Sequence, residues 1–393
     1  LIPKEPKSKV ILNAAGVKSI ERGNLWIWDT EIRKVEGESS PGSLVWISDK
    51  NGAFLGMGYI NPLSRIRVRV LTREKQRIDK EFLKSRIEKA KRIREEFIKD
   101  DTNAYRVVFA EADFLPGLVV DRYAEFLVVQ FHTAGMEKLK EEVVGALEEI
   151  FNPKGIYERS DFSVRKTEGL EERKGVLYGK EPPDTLLIKE NGIQFLVDIK
   201  EGQKTGFYID QRENRKMVKK YAKGKKVFDL FSYTGGFSIY CLYGGASHAL
   251  SVDTSEKVLE IAKENARLNG FEKKHETVKA DVFEFLEEIE KGEFLILDPP
   301  GFVKRIKDLE NGMKKYLRLN TSAISRIENG FLFTSSCSGA VSFNDFSEMI
   351  IRAGKRAGKK IRILERAENP PDHPVNLIHP WSLYLKSLML HVC

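Results

Sequence analysis

The sequence predicts an α/β protein in three parts: a small β-barrel over residues 1–75, a central α+β insert over 76–199, and a doubly wound sheet over 200–393. Three observations carry that expectation. At 393 residues the chain has room for roughly two to three domains of ~150 residues. Its first 75 residues are short apolar runs broken by turn residues. From about Lys200, strand-like and helix-like stretches alternate, the pattern of a parallel sheet with its ligand at the carboxyl ends of the strands.

In chain order, Leu44–Ser48 and Ala53–Ile60 are apolar runs separated by Asp49-Lys50-Asn51-Gly52, and Asn-Gly in that setting signals a hairpin. Arg65-Ile66-Arg67-Val68-Arg69-Val70 alternates strictly, so Arg65, Arg67 and Arg69 share one strand face. A solvated face and a nucleic-acid patch account for them equally well. Asp79–Lys99 reads as a charged helix with Phe82, Ile87, Ala90, Ile93 and Phe97 on its buried stripe. In the insert, Tyr105–Ala110, Leu118–Asp121 and Phe126–Phe131 read as strands and Met136–Ile150 as a helix. Leu186–Lys189 and Gln194–Asp198 form a hairpin about Asn191-Gly192. No residue there demands a catalytic role. The strands of the last part are Lys226–Leu230, Ala249–Val252, Phe294–Leu297 and Gly330–Thr334. Helices at 235–242, 255–269, 282–290 and 308–327 separate them, and Lys360–Leu364 with Ser382–Val392 suits an antiparallel edge hairpin.

Composition bounds the partners. With 41% apolar and 32% charged residues, the chain is expected to be soluble and folded. No apolar run approaches the ~20 residues of a membrane span, and Leu1-Ile2-Pro3-Lys4 lacks the stretch of a secretory signal. Cys241, Cys337 and Cys393 are too few and scattered for a disulfide framework or a metal cluster, so a reducing cytoplasm is the simplest home. Lys and Arg number 66 against 58 Asp and Glu, a net charge of +8, and the first 75 residues carry 13 against 8. Such a surplus suits a polyanion.

Chemistry-bearing residues cluster at predicted strand ends. The first strand runs Val227-Phe228-Asp229-Leu230 into Phe231-Ser232-Tyr233-Thr234-Gly235-Gly236, a turn that lets a ligand approach the backbone but lacks the Lys-Ser/Thr of a phosphate loop. The second ends at Asp253, placed to hold ribose hydroxyls, and the third at Asp281, placed to accept from an adenine amine. Either acid could instead cap the helix that follows. A glycine turn, a ribose acid and an adenine acid without a phosphate loop describe a nucleoside cofactor lacking phosphates, which fits S-adenosylmethionine. The fourth strand delivers Asp298-Pro299-Pro300-Gly301, with Asp298 fixed at the sheet edge by two prolines and able to bond a target base. The fifth delivers Thr334-Ser335-Ser336-Cys337-Ser338, a thiol in a polar loop that packing explains poorly. Cys241 and Cys393 read as ordinary.

With these residues in place, the chain resembles the large-subunit ribosomal RNA cytosine-5 methyltransferases that join a PUA domain to a Rossmann-like class I methyltransferase domain. Thr205-Gly206-Phe207-Tyr208-Ile209-Asp210-Gln211-Arg212, Phe114–Arg122, Asp298-Pro299-Pro300, Ser335–Ser338, Asp372-His373-Pro374 and Tyr384-Leu385-Lys386 carry the likeness over almost the whole length. The resemblance implies that Tyr208, Asp210, Gln211 and Arg212 close over the cofactor. Asp229 and Phe231, Ser232, Tyr233, Thr234 and Gly235 would lie along its methionine part, with Asp253, Asp281 and Asp298 completing the pocket. Cys337 would be the nucleophile, Asp298 would contact cytosine N3 and N4, and a PUA-like module with Arg65, Arg67 and Arg69 would grip RNA. The partner implied is 23S rRNA before full subunit assembly, with no membrane; monomer and homodimer both stay open.

The chemistry such a target needs is specific. Pyrimidine carbon 5 is too weak a nucleophile for a methyl sulfonium until a thiolate adds at carbon 6 and turns the ring into an enamine. The better-known RNA cytosine-5 methylases carry a second cysteine beside the prolines of the fourth strand, to release product. Here Gly301 stands there, leaving His373 or Asp372 as candidates, although a structural turn before Pro374 explains them better. Uracil carbon 5, an exocyclic amine of guanine or adenine, and a non-catalytic assembly role remain alternatives.

Overall fold

A computed structural model describes residues 6–289 and 291–393. Leu1–Lys4, read above for a signal, and Glu290, the last residue of the helix expected over 282–290, lie outside the described residues. Two compact units form. One takes the chain as far as Leu186 together with residues 198–207 and 371–382; the other takes 187–197, 208–370 and 383–393.

The first unit opens with β1 (Ser8–Leu12), α1 (Ala14–Glu21), β2 (Trp26–Trp28), β3 (Ile32–Glu36), β4 (Ser43–Ser48), β5 (Phe54–Ile60) and β6 (Ile66–Thr72). These strands form a sheet in the order β2-β6-β5-β4-β1-β3, with β1 parallel to β4 and all other pairs antiparallel. The expected hairpin about Asn51-Gly52 is the β4–β5 pair; Asp49 Oδ1 accepts from the amides of Asn51 and Ala53 to shape its loop. Inward-facing Val10, Leu12, Ile27, Val45, Ile47, Val68 and Val70 fill this core.

The helix α2 (Lys80–Glu95) follows, with Asp79 accepting from Phe82 N as its cap. Its buried stripe is Phe82, Leu83, Ile87, Ala90 and Arg94, which corrects the expected one: Ile93 is exposed, and an arginine takes the last inward position. Arg94 is accepted there because it forms a two-pronged pair with Asp113, at 2.6 and 2.7 Å. Strands β7 (Ala104–Phe109), β8 (Leu118–Tyr123), β9 (Phe126–Phe131), β10 (Gly155–Ser160) and β11 (Arg173–Gly179) build a second sheet in the order β11-β10-β9-β8-β7. The single helix expected over 136–150 is two, α3 (Ala134–Lys138) and α4 (Lys140–Phe151), broken at Leu139.

The second unit begins with the hairpin of β12 (Leu186–Glu190) and β13 (Ile193–Val197). Asn191 and Gly192 turn it with φ of 49° and 77°, as a two-residue hairpin loop requires. Then come α5 (Arg212–Lys219), β14 (Lys226–Leu230), α6 (Gly236–Tyr243), β15 (His248–Asp253), α7 (Glu256–Leu268), β16 (His275–Lys279), α8 (Val282–Glu288), β17 (Gly292–Leu297), α9 (Leu309–Ser325), β18 (Ile327–Ser336), α10 (Phe343–Ala357), β19 (Ile361–Ala367) and β20 (Lys386–Val392). The sheet order is β16-β15-β14-β17-β18-β20-β19, parallel except for β20, which runs antiparallel between β18 and β19. Alternate residues split its faces. Phe228, Leu230, Leu250, Val252, Leu295, Leu297 and Leu332 pack with Leu286, Tyr316, Leu319, Phe346 and Ile350 of α8, α9 and α10. On the other face Phe333 meets Phe237 of α6 at 5.1 Å. The chain leaves β14 for β15 on one side and reaches β17 on the other, so a crevice opens at the carboxyl ends of β14 and β17.

Candidate functional site

The turn after β14 is the most constrained backbone near that crevice. Phe231, Tyr233 and Gly235 have φ of 65°, 48° and 76°. Two bulky residues in the left-handed region cost of order 1–3 kcal/mol each and persist where the surroundings impose them, commonly at ligand sites. A Cβ at Gly235 would lie 3.1 Å from Ala262 Cβ on α7, so the close approach needs glycine. Asp253, at the end of β15, holds the turn: its carboxylate accepts from Tyr233 N and Ser255 N, both at 3.0 Å. It does not cap α7, whose N-cap is Ser255. Asp281, by contrast, caps α8 through Oδ1, which accepts from Phe283 N and Glu284 N, and it is exposed.

Asp229 is fully buried within β14. Its Oδ2 accepts from Ser238 N at 3.0 Å and Ser238 Oγ at 2.8 Å, and pins the start of α6. Burial pushes its carboxyl up to about 7 against the lowering effect of those bonds, and the charges of Asp298 and Asp253 add to the rise. Among the described residues, Asp229 Oδ1, Ser232 Oγ and Thr234 Oγ1 are buried without a hydrogen-bond partner. Buried polar atoms are ordinarily satisfied. Three orphans around one strained turn at the mouth of the crevice suit a polar ligand such as the amino-acid part of S-adenosylmethionine.

The segment before α5 lies against the ends of β17 and β18. Gln211 Nε2 donates to Asp298 Oδ1 at 2.7 Å, and Ser335 Oγ donates to the same oxygen. Asn214 Nδ2 donates to Gln211 Oε1 and, at 2.9 Å, to Ser387 Oγ, tying α5 to β20. Tyr384 OH donates to Asp210 Oδ2 at 2.6 Å. The Tyr208 ring meets that of Tyr233 edge-on at 5.3 Å. Burial, then the charges of Asp298, Asp210 and Cys337, raise the Tyr208 phenol well above its ordinary range. Tyr208, Asp210, Gln211, Asp298 and Cys337, widely separated in sequence, are thus brought to one place. Arg212 is buried and pairs with Glu213 at 3.3 Å.

Cys337 follows β18, half-buried. Neighbouring Ser338 Oγ accepts from Val303 N at 3.1 Å and lies 3.0 Å from Tyr316 OH, so the loops after β17 and β18 are fastened together. As a result a Cβ at Gly301 would sit 3.4 Å from Cys337 Sγ. The residue that departs from the better-known pattern therefore faces the thiol directly. Cys241 is buried in α6, where burial raises its thiol well above the ordinary value, and Cys393 contacts Lys360 O at 3.8 Å. Sequence reasoning gave no role to Ser335, Tyr316 or Lys386. The signals for Lys386 were its place in Tyr384-Leu385-Lys386, which carries the family likeness, and a lysine opening a largely apolar strand.

Within the first unit the proposed arginine face is not uniformly open. Arg65 is exposed and Arg67 half-buried, donating to Pro62 O. Arg69 corrects the expectation of three free cations: it is 7% exposed, pairs with Glu168 at 3.2 Å and lies over the Trp26 ring. A cation already paired and desolvated has little to offer a phosphate. Asp372 and His373 belong to this unit, where Asp372 Oδ2 accepts from Arg106 N at 3.0 Å and His373 packs on Phe109 at 5.3 Å. These contacts suit the structural turn expected before Pro374. Thr205 likewise donates to Asp121 Oδ2 at 2.7 Å. Among the described residues, no group of three or more His, Cys, Asp or Glu could hold a metal ion, and no helix is long and apolar enough to cross a membrane.

Comparison with known proteins places the fold in a family. Residues 172–390 match the family described as S-adenosylmethionine-dependent methyltransferase, and residues 10–73 match a PUA-like domain. The chain is 42% identical over 382 residues to the ribosomal RNA large subunit methyltransferase I of Tolumonas auensis, covering 95% of this chain and 96% of that one. It is 41% identical over 384 residues to the protein of that name from Vibrio vulnificus, covering 95% and 97%. A crystal structure of a methyltransferase complexed with SAH superposes with a TM-score of 0.83 at 25% identity, over 98% of this chain and 99% of that chain.

Proposed function

Because the chain belongs to the S-adenosylmethionine-dependent methyltransferase family, here joined to a PUA-like domain, we propose that it methylates carbon 5 of a cytosine in large-subunit ribosomal RNA through a covalent adduct on Cys337. The observation that carries this reading is the thiol itself. Cys337 is half-buried at the carboxyl edge of the sheet, in the same cluster as Asp298 and Tyr208 and opposite Gly301, where any side chain would meet the sulfur.

When bound, S-adenosylmethionine supplies a methyl group on a sulfonium. Cys337 adds as thiolate to carbon 6, forming a C–S bond and moving the ring's electron pair to carbon 5. Asp298, held by Gln211 and Ser335, fixes the base edge through N3 and N4. After methyl transfer the carbon-5 proton is removed, the carbon 5–carbon 6 double bond returns and Cys337 leaves as thiolate. Ser232, Tyr233, Thr234 and Gly235 would cradle the methionine part, Asp253 the ribose and Asp281 the adenine. Asp281 would use the oxygen not engaged in its cap. On the RNA side, Arg65 and Arg67 are the arginines of the strand with solvent access.

Incubation with ribosomal RNA carrying 5-fluorocytidine tests this directly. Fluorine at carbon 5 cannot leave as a proton, so a protein–RNA adduct at Cys337 should accumulate. Absence of an adduct under turnover conditions sinks the reading, and mass analysis of the methylated nucleoside separates cytosine from uracil and from an exocyclic amine.

The cofactor pocket makes a separate prediction. The Asp229 carboxyl sits near 7 and must ionise to face the cationic ammonium of the methionine part. Below pH 7 its folded form holds a proton that binding must expel, so S-adenosylmethionine affinity should weaken by up to about tenfold per pH unit between pH 7 and 5. Asp229→Asn should flatten that slope in calorimetric titrations. A slope equal in the two proteins would remove Asp229 from the pocket.

A further inference from the structure

Lys386 is the first residue of β20, paired across the sheet with Ser336, the residue before Cys337. It is only 2% exposed. Its Nζ donates to Ser338 O at 2.6 Å and to Tyr384 O at 2.7 Å. One of these carbonyls immediately follows Cys337. An ammonium has three donors, and among the described residues no carboxylate forms an ion pair with this one. Burying a cation against neutral carbonyls alone is costly, and buried charges are ordinarily matched by an opposite one. Burial lowers the ammonium to about 8, while the charges of Cys337 and Glu368 pull the other way. The negative charges that act on it are those of Cys337 and Glu368, and Cys337 lies on the loop that Lys386 itself holds through Ser338 O.

We propose that Lys386 is a positioning residue whose buried ammonium holds Cys337 as thiolate before attack on carbon 6, and stabilises the same thiolate as it leaves. The inference rests on the reading of Cys337 as nucleophile. The proton lost from Sγ passes to solvent, and no bond at Lys386 is made or broken. Its second half bears on the absent second cysteine: with Gly301 opposite the thiol, a fixed cation eases departure of the sulfur by lowering the basicity of the leaving group.

The test reads thiol acidity without RNA. The full chain, carrying Cys393→Ser, is alkylated with iodoacetamide across a pH series, and modification at Cys337 is followed by peptide mass. In the Lys386-bearing protein the midpoint should fall below the ~8.5 of an ordinary thiol. Lys386→Met should raise it by about one unit or more, a tenfold loss of thiolate at fixed pH, with S-adenosylmethionine binding retained as the check on folding. A midpoint at or above ~8.5 with Lys386 present overturns the proposal, and that measurement does not depend on the variant folding. An unshifted midpoint in a folded Lys386→Met protein does the same. Should the 5-fluorocytidine adduct form while the midpoint stays put, the nucleophile stands and Lys386 falls. Should the midpoint move with no adduct formed, the thiolate pair stands and its use in catalysis falls.

Discussion

Replacing Cys337 by serine is expected to lower methyl transfer to RNA by about a thousandfold or more. A serine hydroxyl is nearly isosteric with the thiol, yet at neutral pH it is not ionised and cannot add to carbon 6. The loop should survive the change, because Ser338 Oγ binds Val303 N and Tyr316 OH and serine nearly matches the size of cysteine. S-adenosylmethionine binding and the melting temperature should therefore match those of the unchanged protein. Single-turnover transfer of labelled methyl to ribosomal RNA gives the answer. Retention of most activity would mean that an exocyclic amine is the acceptor, with Asp298-Pro299-Pro300 doing the recognition and the thiol incidental.

The second large effect is on stability. Arg94→Met should cost about 3–5 kcal/mol, the usual result of deleting one partner of a buried ion pair. Arg94 is fully buried, and its guanidinium also donates to Arg106 O at 3.1 Å and Asp372 O at 3.0 Å. Removing it leaves the Asp113 carboxylate buried, with Phe109 N at 2.6 Å as its remaining donor. The double variant Arg94→Met, Asp113→Leu should recover part of the loss, because the stranded charge goes with it. Recovery stays incomplete, since the bond from Phe109 N to Asp113 is then lost as well, at about 0.5–1.5 kcal/mol. Urea unfolding of the two single variants and the double variant measures the cycle. A single-variant loss under about 1 kcal/mol would show the pair to be ornamental.

Arg94 also illustrates what periodicity can and cannot reveal. A 3.6-residue pattern selects apolar residues, so it places Ile93 inward and passes over Arg94; the partner that reverses this lies 19 residues away in another element. The pairing of Arg69 is hidden for the same reason, its Glu168 being 99 residues on. Strand–helix alternation after residue 226 was readable because each element's pattern is local. So was the Asn191-Gly192 turn, where residue type and backbone sign coincide. The acids at strand ends could be picked out one by one from turn chemistry. The meeting of Asp298 with Tyr208 and Gln211 came only through the family resemblance, because turn chemistry does not reveal the strand order that makes β14 and β17 neighbours.

The division of the chain into its two units carries a consequence for how the protein is made. The polypeptide passes from one unit to the other five times, and residues 371–382 of the first unit lie between β19 and β20 of the second. His379 Nε2 there accepts from Leu25 N at 2.8 Å, and Asp372 accepts from Arg106 N. A nascent chain released at residue 186 would leave both of those amides unanswered. The first unit thus takes in residues that are translated only after strands β14 to β19 of the second. A chain cut short before residue 371 would lack part of the first unit as well as β20 of the second.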